Sequence, residues 1–323
     1  MDFGYGVVLL RGRLMDKNGR FVLIGSIIMD IQLFVTHIPP SGGDVMASTA
    51  MYYPGGGFNV LSAVTRQGIP ALYAGRIGHG PMGKRIREAL QQEGITSLHA
   101  YREGSDDTGF VITLVEPSGE RTFVTSPGIE SHIRPDDLVA LNLSRHDVVY
   151  VSGYDLLYPV SGATIAEYLT MMNEEIRLVF DPGPLIGDIA PERLEFMRRR
   201  AWLISANRAE ICQWMNQHEI TEAAALLASQ RPPHSLVVAR DGEKGAWFVD
   251  NQGLVRVPPR PAQVVDLTGA GDTHTGVLVA FLMAGWSVYD AICAANIAAS
   301  ISVEKKGPAT SPRRKDIERI MKH

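Results

Sequence analysis

The chain predicts an α/β fold: a mainly parallel sheet covered by helices on both faces. Three observations carry that prediction. Short apolar runs alternate with helical patterns through most of the sequence. Most of those runs finish at Gly, Pro or Asn, as buried strands do before a turn. The 323 residues, 45% hydrophobic and 20% charged, can bury a large core and match the composition of a globular protein rather than a disordered one.

Taken in order, the chain begins with "MDFGYGVVLLRGRLMDKNGR", a four-residue apolar run followed by Arg11, Arg13, Lys17 and Arg20. It lacks the apolar centre of a signal peptide, so residues 1–20 read as an extension outside the fold, an upstream start of translation with Met15 as the alternative. Residues 21–323 then form one main domain. Within it "FVLIGSIIMDI", "ALYAGRIG", "DVVYVSGY", "RLVFDPG", "AWLISAN" and "SLVVARDG" each predict a buried strand. Between them "FNVLSAVTRQG", "GKRIREALQQEG", "SGATIAEYLTMMNEE", "ERLEFMRRR" and "TEAAALLASQ" carry apolar residues at helical spacing. In the second, Ile86 and Leu90 share a face, Lys84, Arg85, Arg87 and Glu88 lie mostly off it, and Gly94 closes the helix. Two stretches break the rhythm. "GGDVMASTAMYYPGGG" and "TGFVITLVEPSGERTFVTSPG" read as extended pairs, the second turning at "EPSG". They predict a small β layer, near 31–53 and 108–126, that can serve as a lid. Ligands then belong at the carboxyl ends of the parallel strands.

Composition removes several function classes. A formal net charge of -4 gives no electrostatic reason to expect nucleic acid as a partner. The two cysteines, Cys212 and Cys293, have no disulfide or zinc-ligand spacing and suit a reduced, cytoplasmic setting. The longest apolar runs, such as 277–284, are shorter than the ~18–20 residues a membrane span needs. No nucleophile elbow, His-Glu-x-x-His helix or calcium loop occurs.

Chemistry concentrates in the glycine clusters. "LTGAGD" stands between an apolar run and a helix, so its backbone N–H groups face outward at the positive end of the helix dipole and favour an anion. Asp272 in the first turn would repel a phosphate unless it had a task. Taking the proton from a hydroxyl that attacks that phosphate is such a task. "PGGGFNVLSAV" brings Gly55, Gly56 and Gly57 to a helix start, with Asn59 either meeting ligand hydroxyls or capping the helix. "GHGPMGK", residues 78–84, satisfies G-x-G-x-x-G and nearly the P-loop pattern, but Arg85 stands where magnesium needs Ser or Thr. "ISANRAEI" puts Asn207 and Glu210 on one helical face, either as an N-cap with an acidic first turn or as organisers of hydrated magnesium. "ARDGEKGAWF" alone says only hairpin, and His274 at i+2 points away from Asp272.

Together "GGGFNVLSA", "NRAE" and "DLTGAGDTHTG", in that order within residues 21–315, resemble the ribokinase-like carbohydrate kinases, the PfkB family. The resemblance implies a ribokinase-like three-layer sandwich with a small β-sheet lid that often doubles as a homodimer interface. It also implies transfer of the γ-phosphoryl group of ATP to a hydroxymethyl group of a sugar or nucleoside. By that analogy Asp272 is the base and the N–H groups of Gly269, Ala270 and Gly271 form the anion hole. Asp30, Gly55, Gly56 and Asn59 would hold the acceptor. Arg240, Asp241, Gly242, Glu243, Lys244 and Gly245 would wrap the ATP phosphates and ribose, with Asn296 near the base. Asn207 and Glu210 would act through Mg2+ and its water shell. Asp266, Thr268, Ser302, Gly307 and Ser311 match positions that seat a potassium-like ion in many relatives.

The chain also departs from the family pattern. Gly153 and Tyr154 replace a sugar-touching Glu of ribokinases, His79 and Gly80 replace a common Asp-Asp after Gly78, and His274 replaces a common Phe. Tyr154 mildly favours a nucleoside, and His274 either touches the acceptor pocket or repacks its helix. Hexose, pentose, sugar acid and nucleoside stay open. Two other readings are a non-catalytic sensor of the same fold and a dinucleotide oxidoreductase using Gly78 to Gly83.

Overall fold

The computed structural model describes residues 19–99, 106–250 and 252–322. The expected extension therefore lies, up to residue 18, outside the described residues. Gly19 and Arg20, placed in that extension by the sequence, belong to the fold: Arg20 pairs with buried Asp147 at 2.8 Å, and its carbonyl accepts the N–H of Val148 at 2.9 Å.

The large sheet runs, from edge to edge, Gly253–Val257, Ala246–Asp250, Leu236–Arg240, Leu203–Asn207, Arg177–Asp181, Val148–Ser152, Phe21–Leu23, Ala71–Tyr73 and Thr96–Ser97. The first two strands are antiparallel and the rest parallel. Its strands alternate between two cores, as side chains on a pleat must. Phe21, Leu23, Val148, Tyr150 and Val179 pack under the helices Gly57–Thr65, Pro81–Glu93, Ala270–Met283 and Val288–Val303. Val22, Ile24, Val149, Val151 and Phe180 pack under Pro159–Met171, Pro191–Arg200 and Ile220–Ser229. Three layers result. Among the described residues no helix is long and apolar enough to cross a membrane.

Two of the expected extended segments resolve differently. "FVLIGSIIMDI" is two strands in two sheets, Phe21–Leu23 in the large one and Ile27–Phe34 in a small one. The break is imposed by buried Asp155, whose carboxylate takes the Ser26 N–H at 2.8 Å and its hydroxyl at 2.7 Å. "GGDVMASTAMYYPGGG" yields one strand, Thr49–Gly56, because its partner is Ile27–Phe34 rather than its own first half. The small sheet has the order Thr49–Gly56, Ile27–Phe34, Phe110–Val115, Arg121–Ser126. Its hairpin turns at 116–119 as expected, with the Gly119 N–H on the Glu116 carbonyl at 2.9 Å.

Strand order in the large sheet reverses between Phe21–Leu23 and Val148–Ser152. A crevice forms at the carboxyl ends beside such a reversal, because the connections leave to opposite faces there.

Candidate active site

That crevice is a cleft of about 780 Å³, in the range that holds small molecules. Tyr150, Ser152, Asp181, Asn207 and Arg240 reach it from successive strands, and Gly269 to Asp272 from the start of Ala270–Met283. Gly269 is left-handed (φ 73°), which turns the chain sharply into the helix. No side chain caps this end. The Ala270 N–H folds back on the Leu267 carbonyl at 3.2 Å, which removes it from the expected donor set, while among the described residues Gly269 and Gly271 have no acceptor for theirs.

Asp272 faces this cleft. Burial and then the nearby Asp181 raise its carboxyl to about 6, against the opposing pull of Asn59 and Arg240. The Asn59 amide donates to Asp272 Oδ2 at 3.0 Å, so Asn59 does not cap its helix, whose N-cap is Gly56. Asn59 Oδ1 is buried and, among the described residues, unpartnered. Asp30 stands on the small sheet against Gly55, where a Cβ would lie 2.3 Å from its Oδ2. Burial, and then repulsion from Asp272, lifts Asp30 to about 7. Asp272, the Asn59 amide and a second carboxylate are thus gathered together, although of these only Asp272 lines the cleft itself.

The opposite side is organised by Arg240. Its guanidinium reaches Asp181 at 3.2 Å and Glu210 at 3.3 Å, and a Cβ on Gly271 would lie 2.5 Å from its Nη1. The Thr275 hydroxyl also donates to Asp181 at 3.2 Å. Burial and then Asp181 raise Glu210 to about 7, against the opposing pull of Arg240. Asn207 and Glu210 form a capping box: the Glu210 N–H donates to Asn207 Oδ1 at 3.0 Å, and the Asn207 N–H to Glu210 Oε2 at 2.7 Å. The capping reading is therefore realised, and the same pair still lines the cleft.

Gly242, Glu243 and Gly245 line the cleft, as does Asn296, but Asp241 and Lys244 do not. Asp241 turns to Arg208 at 2.8 Å and to the Trp247 indole at 3.4 Å, and the Lys244 carbonyl accepts from Arg256 at 3.1 Å. His274 is buried and neutral, since burial and then Arg240 push its pKa down to about 3. Its Nε2 lies 3.1 Å from Asn296 Oδ1, which in turn leaves the Asn296 amide on the carbonyls of Val257 and Pro258. It lines the cleft beside Asn296.

The turn at 78–84 is outside the cleft lining. Its helix start is filled by the chain itself: the Met82 and Gly83 N–H groups donate to the Asp107 carboxylate at 3.0 and 2.9 Å. A Cβ on Gly80 would lie 2.3 Å from Asp107 Oδ2. No room is left for a dinucleotide pyrophosphate.

The five residues matched to a potassium site come together, but the Asp266 carboxylate, the Thr268 hydroxyl and the Ser302 and Ser311 carbonyls already accept hydrogen bonds, two of them from the Arg121 guanidinium. Asp266 Oδ1 accepts from Arg121 at 2.7 Å and from the Thr268 N–H and hydroxyl at 2.9 and 2.7 Å, and Oδ2 from the Gly307 N–H at 2.9 Å. Arg121 also donates to Thr268 Oγ1. The Ser302 carbonyl accepts from Thr310 at 3.0 Å, and the Ser311 carbonyl from Arg66 at 2.9 Å. Although burial opposes it, this donor set holds Asp266 at about 2. These residues do not fit a bound monovalent ion.

Arg121, Asp181, Thr275 and Tyr150 were not singled out by the sequence. Only Asp181 carried a local signal, a carboxylate ending a buried strand before Pro-Gly.

A three-layer fold with a buried carboxylate and an open helix start at the strand ends suits a class, α/β phosphotransferases acting on an alcohol group. Residues 18–315 match pfkB family carbohydrate kinase, and the chain belongs to that family. It is 32% identical over 300 residues to the uncharacterised sugar kinase YegV of Escherichia coli K12, covering 92% of each chain. It is 27% identical over 313 residues to a ribokinase of Haemophilus influenzae, covering 93% of this chain and 98% of that one. Among solved structures, a Vibrio cholerae fructokinase with fructose, ADP and calcium superposes with TM-score 0.79 at 20% identity, over 94% of this chain and 99% of that one. The fold is thus ribokinase-like.

Proposed function

We propose that the chain transfers the γ-phosphoryl group of ATP to a hydroxymethyl group of a sugar or nucleoside, with Asp272 as the base. The observation that carries this reading is the meeting, in one cleft, of a carboxylate raised to about 6 and N–H donors with no acceptor of their own. A base near neutral pKa is ionised at physiological pH yet still basic enough to take a proton.

Asn59 occupies Asp272 Oδ2 and leaves the other oxygen for the acceptor hydroxyl. As that proton moves to Asp272, the acceptor oxygen bonds to the γ-phosphorus and the bond to the bridging oxygen breaks, releasing ADP. The Gly269 and Gly271 N–H groups and Arg240 carry the charge that spreads over the phosphoryl oxygens. Asn59 Oδ1 and Asp30 receive the other acceptor hydroxyls, and Tyr154, 46% exposed, supplies an aromatic wall. Gly242, Glu243, Gly245 and Asn296 flank the nucleotide.

A hydrated magnesium ion would be held here by Asp181 and Glu210, which line the cleft while pairing with Arg240. Glu210 would hold it through water, and the ion would neutralise phosphate charge. The small sheet acts as a lid that keeps water from competing with the acceptor. Its exposed Tyr52, Phe123 and Val124 support a homodimer through that layer.

An ADP-release assay across monosaccharides, sugar acids and nucleosides with magnesium tests the reading. At least one acceptor class should turn over. A folded protein that binds ATP and phosphorylates none of them would instead be a sensor.

A further inference from the structure

The disagreement between the potassium-type positions and their contents carries a second reading, which rests on the proposed kinase chemistry only for its rate effects. We infer that Arg121 is a tethered cation that replaces a free monovalent ion beside the anion hole, and that it couples the small sheet to the loop 266–271.

Arg121 begins the outer strand of the small sheet, Arg121–Ser126, and reaches a loop 145 residues away in sequence. Its guanidinium meets Asp266 Oδ1 and Thr268 Oγ1 together. A guanidinium presents donors in a fixed fork, so it fixes the direction of both oxygens where a bare ion would only neutralise charge. Thr268 directly precedes Gly269, so whatever holds its hydroxyl also sets where the first free N–H donor points. Carbonyls on the far side of the site are engaged as well: Ser302 by Thr310, and Ser311 and Ala309 by Arg66, the last at 2.7 Å. Arg66 is itself anchored on Glu93 at 2.5 Å. Positive charge and hydrogen bonds are thus supplied from within the chain.

Arg121 is a positioning residue, because it acts through Thr268 and Asp266 on the donors that meet the phosphoryl group. When the small sheet covers the cleft the guanidinium is in place; lifting that sheet withdraws it. The anion hole is then set only when the acceptor is covered, which disfavours transfer to water.

Two arms test this. In the first, crystals of the wild-type chain and of Arg121→Ala are grown with thallium(I), whose anomalous signal marks monovalent sites. The inference expects no thallium between Asp266 and the 302–311 carbonyls in the wild type, and thallium there in the variant. Thallium seated there in the wild-type chain overturns it, whatever the enzyme's activity. In the second, melting and turnover are compared in potassium and in tetramethylammonium at matched ionic strength. Wild type should be indifferent in both readouts. Arg121→Ala should lose roughly 10- to 100-fold in kcat, the scale of a small misplacement, with the acceptor KM little changed. Free guanidinium or potassium should restore part of that loss, and Arg121→Lys should keep more activity than the alanine. Wild-type turnover or melting that depends on potassium refutes the tethered-cation reading. Absence of turnover with every acceptor refutes the kinase reading instead and leaves the thallium arm to decide this one.

Discussion

The turn before Pro81–Glu93 and the turn before Ala270–Met283 are built alike: each follows an apolar run, each is rich in glycine, and neither helix takes a side-chain cap from its own N-cap residue. They differ in what faces the N–H groups. At the first, Asp107 arrives from 24 residues downstream and fills the place of an anion. At the second, nothing from the described residues does, and Arg240 and Asp272, the proposed base, line the cleft beside it. A helix start is therefore an anion site only if the fold withholds its own carboxylate. Local pattern cannot reveal that.

Replacing the proposed base should have the largest effect on this contrast. Asp272→Asn is expected to lower kcat by about 100- to 10,000-fold, the usual worth of a general base, while ATP binding persists. Because the carboxylate must be ionised to accept a proton, wild-type turnover should fall as pH drops through about 6, and the variant's residual rate should lack that limb. Undiminished turnover in Asp272→Asn would remove the difference between the two turns.

The smaller effect belongs to the other turn. Asp107→Ala should cost about 1 kcal/mol of stability, as loss of a helix cap does, and lower the melting midpoint while leaving turnover unchanged. A large drop in kcat without a change in melting would mean that residues 78–84 take part in the chemistry.

The strands and helices were legible because a buried parallel strand must be a short apolar run and a covering helix must carry an apolar stripe. Each named helix appears within a few residues of its expected place. The division of "FVLIGSIIMDI" between two sheets was not legible, since the group that causes it, Asp155, lies 129 residues away. The same holds within the site. Asp272, Gly269 and Gly271 could be singled out because their chemistry is local to one turn. Arg121, which meets Asp266 only after the small sheet folds over, looks in sequence like an ordinary hairpin residue. Asp241 and Lys244 show the converse: they share a turn with lining residues, yet Asp241 satisfies Arg208 and Trp247, and Lys244 is absent from the cleft wall. His274 does line the cleft, but its partner there, Asn296, lies 22 residues away and was not legible from its neighbours in sequence.

The most direct measurement is a crystal structure with ADP, magnesium and a planar fluoroaluminate in place of the transferred phosphoryl group. The fluoroaluminate should sit about 3 Å from the Gly269 and Gly271 N–H groups, with Asp272 on its acceptor side and Asp107 still on Met82 and Gly83. Fluoroaluminate bound at residues 80–83 in place of the Asp107 carboxylate, or out of reach of Gly269 and Gly271, would contradict the assignment of the anion hole.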